Sequence, residues 1–184
     1  MPHLQVALGE GAGFLPRLSR NRLKPPEVQM ERVKCSVRGV SAADHGMLVL
    51  LAEETLHPLA EGSGHPERYH TAELLELLER AEVFVAEAEG EMAGFVAVET
   101  EDDALAFRCV CVGPAFEARG VANQLVDWAE GVAIDRRLRR LTAFVPAGDH
   151  PSLRLYRGHD FVAAAAPGTP EMVLLEKRLP AVES

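Results

Sequence analysis

Between Arg32 and Arg38 apolar and polar positions alternate, with Val33, Cys35 and Val37 on one side, and this period of two predicts a first strand. Ser41-Ala42-Ala43-Asp44 sets a capping hydroxyl three residues before an acid, which opens a helix running to about Thr55. Leu56 to His70 holds Pro58, Gly62, Gly64 and Pro66 and reads as a loop, after which Thr71 caps a short Leu- and Glu-rich helix over Ala72–Arg80. Three strands then come in quick order, Val83–Ala88, Ala93–Glu99 and Leu105–Val112, with turns at Glu89-Gly90-Glu91 and Glu101-Asp102-Asp103. That is an antiparallel meander.

The period changes after Gly120, where Val121, Leu125, Trp128 and Val132 fall on one helical stripe that should pack on a sheet. Leu141–Val145 is the next strand. A strand, a loop, a helix and a strand in succession require a crossover, so the strands ending at Val112 and Val145 run parallel. A short helix from Pro151 to about Arg157 follows, then strands Phe161–Ala165 and Met172–Lys177. The fold class expected is α/β (α+β), a mixed, mostly antiparallel sheet containing one parallel pair.

Composition narrows this. The chain has 184 residues, 47% of them hydrophobic and 26% charged, which suits a single domain with a full core. Residues 1–30, with Gly9-Glu10-Gly11-Ala12-Gly13, Pro25-Pro26 and no sustained period, read as a flexible arm, leaving 31–184 as the domain. No apolar run reaches the roughly 20 residues needed to span a bilayer and the N-terminus lacks a secretory pattern, so the expected location is cytoplasmic and no membrane partner is expected. The net charge of −9 disfavours nucleic acid and favours a cationic partner. Cys35, Cys109 and Cys111 form neither a disulfide framework nor a zinc signature and read as reduced, buried thiols, with no metal expected. The basic run Arg136-Arg137-Leu138-Arg139-Arg140 reads as a solvated helix end, the alternative being a phosphate-binding patch.

Candidate chemistry concentrates at residues 110–126, an apolar strand leading through Pro114 and Arg119-Gly120-Val121-Ala122 into a helix. A Gly loop at a helix N-terminus offers unpaired N–H groups and a positive dipole end to a phosphate or diphosphate; alternatively its small residues only permit close packing on the sheet. No Lys-Ser/Thr follows Gly120, which argues against a nucleotide-binding P-loop. Downstream lies Asp149-His150-Pro151-Ser152-Leu153-Arg154-Leu155-Tyr156-Arg157-Gly158-His159-Asp160-Phe161.

Element order and these two segments, over roughly Glu31 to Pro180, resemble the GCN5-related N-acetyltransferase (GNAT) family, which moves an acetyl group from acetyl-coenzyme A (acetyl-CoA) to an amine. Gly120 and Ala122 fit its pyrophosphate loop, with Glu117 in place of the family's Arg or Gln; Leu155, Tyr156 and Phe161 fit its later segment, with Asp149 for Asn and Asp160 for Gly. The resemblance implies a GNAT-like acyl-CoA N-acyltransferase fold in which the parallel strands splay. Val110, Cys111 and Val112 would bind the pantetheine arm through their main chain, with one N–H facing the acetyl oxygen. Ala118, Arg119, Gly120, Val121, Ala122 and Asn123 would wrap the diphosphate, Glu117 turning outward and Arg119 being the nearest cation.

Tyr156 takes the family's place of general acid toward the coenzyme sulfur, or else is an amphipathic core residue. Asp149 and Ser152 fall in the coenzyme set, although an aspartate before His-Pro-Ser is also a good N-cap. For the general base, Glu99 and Glu101 at the end of the third strand stand beside the acids and histidines of the Leu56–His70 loop, where His57, His65, Glu67, Tyr69 and His70 would border the acceptor. Direct attack in a ternary complex is expected, on a primary amine of a small molecule or peptide. The alternative is a non-catalytic domain of the same fold that senses acyl-CoA or binds a protein. Family members often pair through their late strands, which makes a homodimer one expectation.

Overall fold

Strand β3 (Glu91–Glu101) is the spine of the molecule because Phe95, Val96, Ala97 and Val98 are all fully buried, a run that needs cover on both faces. The computed structural model describes residues 31–63, 71–164 and 171–180. Around β3 run β1 (Ser36–Gly39), α1 (His45–Ser63), α2 (Thr71–Arg80), β2 (Glu82–Ala88), β4 (Ala104–Val112), α3 (Val121–Asp135), β5 (Arg140–Pro146), α4 (His150–Gly158), β6 (Val162–Ala163) and β7 (Met172–Arg178). Among the described residues one sheet takes all the strands in the order β1-β2-β3-β4-β5-β7-β6. Every neighbouring pair is antiparallel except β4 and β5, as the crossover through α3 requires.

On one face Leu48, Leu51 and Ala52 of α1 cover Val83, Val85, Phe95 and Ala97. On the other, Leu125, Val126 and Ala129 of α3 lie over Val96, Val98, Leu105 and Leu141, with Leu153 and Tyr156 of α4 completing the layer. Gly94 sets the closest approach: a Cβ there would stand 2.5 Å from the Cys111 carbonyl oxygen and 3.3 Å from Cγ1 of Val121, so the first residue of α3 rests on bare backbone.

Several boundaries differ from expectation. Strand β1 is confined to Ser36–Gly39; the alternating residues before it are held instead by α3, where Gln124 Oε1 accepts from Cys35 N at 2.9 Å and Gln124 Nε2 donates to Val33 O at 2.7 Å. Asp44 accepts from the Ser41 amide and hydroxyl, each at 2.7 Å, and α1 follows the single turn Ala42–Asp44 to run past Pro58 to Ser63, where a loop was expected. The buried stripe of α3 is Val121, Leu125, Val126, Ala129 and Ala133; Trp128 is 41% exposed and meets Phe84 edge-on, because small alanines let the helix sit low on the sheet. Strand β6 shrinks to two residues. The proposed arm, 1–30, and His65, Glu67, Tyr69 and His70 lie outside the described residues.

Candidate active site

Strands β4 and β5 pair only from Ala104–Arg140 to Phe107–Ala143, although β4 continues to Val112 and β5 to Pro146. The cause lies on the other edge of β4. Ala97 of β3 opposes Cys109 while Val98 opposes Phe107, so Arg108 is an extra residue, a bulge that bends its strand. Strand β5 does not follow, since β7 pairs with it as far as Pro146–Met172. From Arg108 onward the parallel strands therefore part into a notch, and among the described residues Val110, Cys111 and Val112 have a strand partner only on the β3 side. The sequence carries a trace of this: the apolar phase set by Leu105 and Phe107 resumes at Val110 and Val112, one position late.

Arg108 is fixed by two carboxylates, donating from Nε to Glu99 Oε2 at 2.8 Å and pairing with Glu101 as well. Both expected base candidates are thus tied to the bulge by one guanidinium. Tyr156 sits where the ladder ends, 5% exposed, with its ring 5.5 Å from that of Phe107 and 5.2 Å from that of Phe161. Burial raises its pKa far above the ordinary phenol value, and the Asp149 carboxylate adds to this, so the hydroxyl keeps its proton. Tyr156 is thus a core ring that carries a protonated phenol. The Cys109 thiol is likewise raised, by its hydrogen bond to Cys111 and by burial, and is a poor nucleophile.

At the closed end of the notch Gly113 donates to Ala93 O at 2.9 Å and Phe116 is buried, fastening the turn to the sheet. Ala118 (φ 57°) and Gly120 (φ 84°) take left-handed conformations that fold Ala118–Gly120 over the start of α3, where the N–H groups of Val121, Ala122 and Asn123 have no acceptor four residues back. Glu117 is exposed, as expected. The Arg119 guanidinium pairs with Glu89 and lies 5.5 Å over the Phe116 ring. Arg32 and Lys34 stand beside the same loop. They line a cavity of about 290 Å³ with Gly120, Asn123, Gln124 and the carboxylate of Asp127, held there because Val33 donates to Arg119 O at 3.1 Å. Sequence reasoning assigned them to a strand and missed them.

Asp149 is the N-cap of α4, its Oδ1 accepting from Ser152 N at 3.1 Å, so both residues are engaged with each other. Asp160 takes φ 65°, a conformation glycine favours and aspartate tolerates, so the departure from the family's Gly leaves the backbone course intact.

Solved structures share this fold. A PaiA N-acetyltransferase from Thermoplasma acidophilum in complex with coenzyme A is 16% identical, with a TM-score of 0.67 over 79% of this chain and 99% of that one. A Bacillus subtilis acetyltransferase in complex with CoA is 19% identical, with a TM-score of 0.64 over 80% of this chain and 100% of that one. A ribosomal-protein-alanine N-acetyltransferase from Brucella melitensis is 21% identical, with a TM-score of 0.61 over 78% and 99%. These likenesses establish the fold. Comparison with curated proteins gave no match. The model of the acetyltransferase (GNAT) family matches residues 48–161, which takes in the bulge, the notch, the Gly120 loop and Tyr156, and the chain belongs to that family.

Proposed function

We propose that this family member transfers the acetyl group of acetyl-CoA to a primary amine by direct attack in a ternary complex. The observation that carries the reading is the end of β4–β5 pairing at Phe107 and Ala143, which leaves the edge of Val110–Val112 open beside a protonated phenol. The solved CoA complexes of similar fold support a coenzyme in that notch.

In this reading the pantetheine arm lies along Val110–Val112, and Ala118–Asn123 hold the diphosphate by main-chain donors with Arg32 and Lys34 alongside. The amine attacks the thioester carbon and a main-chain N–H stabilises the oxyanion. As the C–S bond breaks, the Tyr156 proton passes to the leaving sulfur. The proton lost by the amine goes to Glu99, directly or through water. Asp149 and Ser152 serve by starting α4, which places Tyr156. A negative surface favours a cationic acceptor.

Following thiol release from acetyl-CoA against a broad panel of amines tests this. At least one amine should turn over, with intersecting initial-rate lines and no acetyl group on Cys109 or Cys111. Tight coenzyme binding with no turnover for any amine would favour the sensing alternative, to which the capture of Arg119 by Glu89 lends some weight.

A further inference from the structure

The paired end of β4 and β5, opposite the notch, opens on a cavity of about 750 Å³ lined by Arg137, Arg139, Arg140 and Arg178 against only Asp103 and Glu176. Two positive charges are in excess there, on a chain whose net charge is −9. Arg38, Arg108, Arg119 and Arg136 hold carboxylates, whereas among the described residues Arg137 and Arg139, like Arg154 and Arg157, have no ion-pair partner, and only the first two share a cavity. Arg140 is held by Asp103 at 2.9 Å and Glu176 at 3.5 Å, and Arg178 reaches Glu176 at 3.9 Å, so the guanidiniums left unpaired in this cavity are those of Arg137 and Arg139.

The plain explanation for such a run is that its cations satisfy the last carbonyls of α3. The main chain has already done so: Leu138 N donates to Ala133 O at 2.9 Å and Arg137 N to Ile134 O at 2.9 Å, a Schellman closure. That closure puts Arg137 at φ 58°, where glycine is the unstrained residue, so an arginine stands at a position whose backbone favours none.

We infer that this cavity binds a small phosphate-bearing molecule of about mononucleotide size. Its volume falls in the range of small-ligand sites, roughly 300–1,000 Å³. The unpaired guanidinium forks of Arg137 and Arg139 match phosphate oxygens, while Leu138 and Pro180 border the cavity with apolar surface. The site is separate from the coenzyme loop, since α3 runs between them, about 22 Å at 1.5 Å per residue.

Titration calorimetry at low salt on the full chain, saturated with coenzyme A to fill the notch, tests this with adenosine monophosphate and inorganic phosphate as probes. Adenosine monophosphate should bind one to one, more tightly than phosphate. Arg137→Gly should weaken it about tenfold or more while leaving the melting temperature equal or higher, because glycine relieves the backbone; Arg139→Ala should weaken it similarly. No binding of either probe at millimolar concentration, affinity unchanged in the Arg137→Gly, Arg139→Ala double variant, or retention of an RNA oligonucleotide without the mononucleotide would each overturn the assignment.

Discussion

The phenol of Tyr156 is buried against Phe107 and Phe161 and retains its proton, and in the proposed mechanism the ring packs while the hydroxyl is the proton donor. Tyr156→Phe keeps the ring packing and removes only the donor: turnover should fall about 100-fold while coenzyme affinity stays within about twofold. Calorimetry and steady-state rates on the same preparation separate the two, and unchanged turnover would remove the phenol from the mechanism. A second residue, Asp44, is structural. It takes a two-pronged bond from Arg38, at 2.8 and 3.0 Å, and caps its own turn, and the guanidinium foremost and Ser41 next hold its carboxyl well below the usual range. A lowered folded pKa means stability that is present above the unfolded value of about 3.9 and lost as pH falls toward the folded one. The melting-temperature gap between the wild type and Asp44→Asn should therefore be constant above roughly pH 5 and shrink below about pH 4.

At the scale of elements, the start of α4 and the bend of β4 make opposite predictions. Asp149→Ala removes the bond to Ser152 N and should cost about 1 kcal/mol, read as a melting temperature lower by about 2–4 °C, whereas Asp149→Asn should recover most of it. A loss of coenzyme affinity in both variants would instead return Asp149 to direct contact. Deleting Arg108 removes the bulge residue without turning any later side chain of β4 to the other face, since Phe107 and Cys109 already point oppositely. The chain should still fold, with β4 free to zip further along β5, and coenzyme affinity should fall about tenfold or more. A deletion variant that binds coenzyme like the wild type would show that the notch does not depend on the bulge.

For the whole molecule, ligand binding to the folded state alone must raise stability, by about 2.7 kcal/mol at a hundredfold excess over Kd. Coenzyme A should therefore raise the melting temperature in proportion to the logarithm of its concentration, and Ala122→Phe should abolish that rise more than it lowers the unliganded midpoint. Much of this architecture was legible in the chain. Local periodicity exposed the meander of β2, β3 and β4 and the crossover through α3, because alternation and helical stripes record which side of each element is buried. The Gly120 loop and the capping aspartate were legible for the same reason: hydrogen bonding within a few residues specifies them. Contacts between distant segments were not. That Arg119 turns to Glu89, that Arg32 and Lys34 stand beside Gly120, and that Gly94 seats α3 depend on residues about 30 to 90 positions apart, where no local pattern records the partner. The sequence by itself determined the elements, their order and the one parallel pair; only the tertiary structure decided that this pair opens, because a one-residue bulge bends β4 while β7 holds β5 straight.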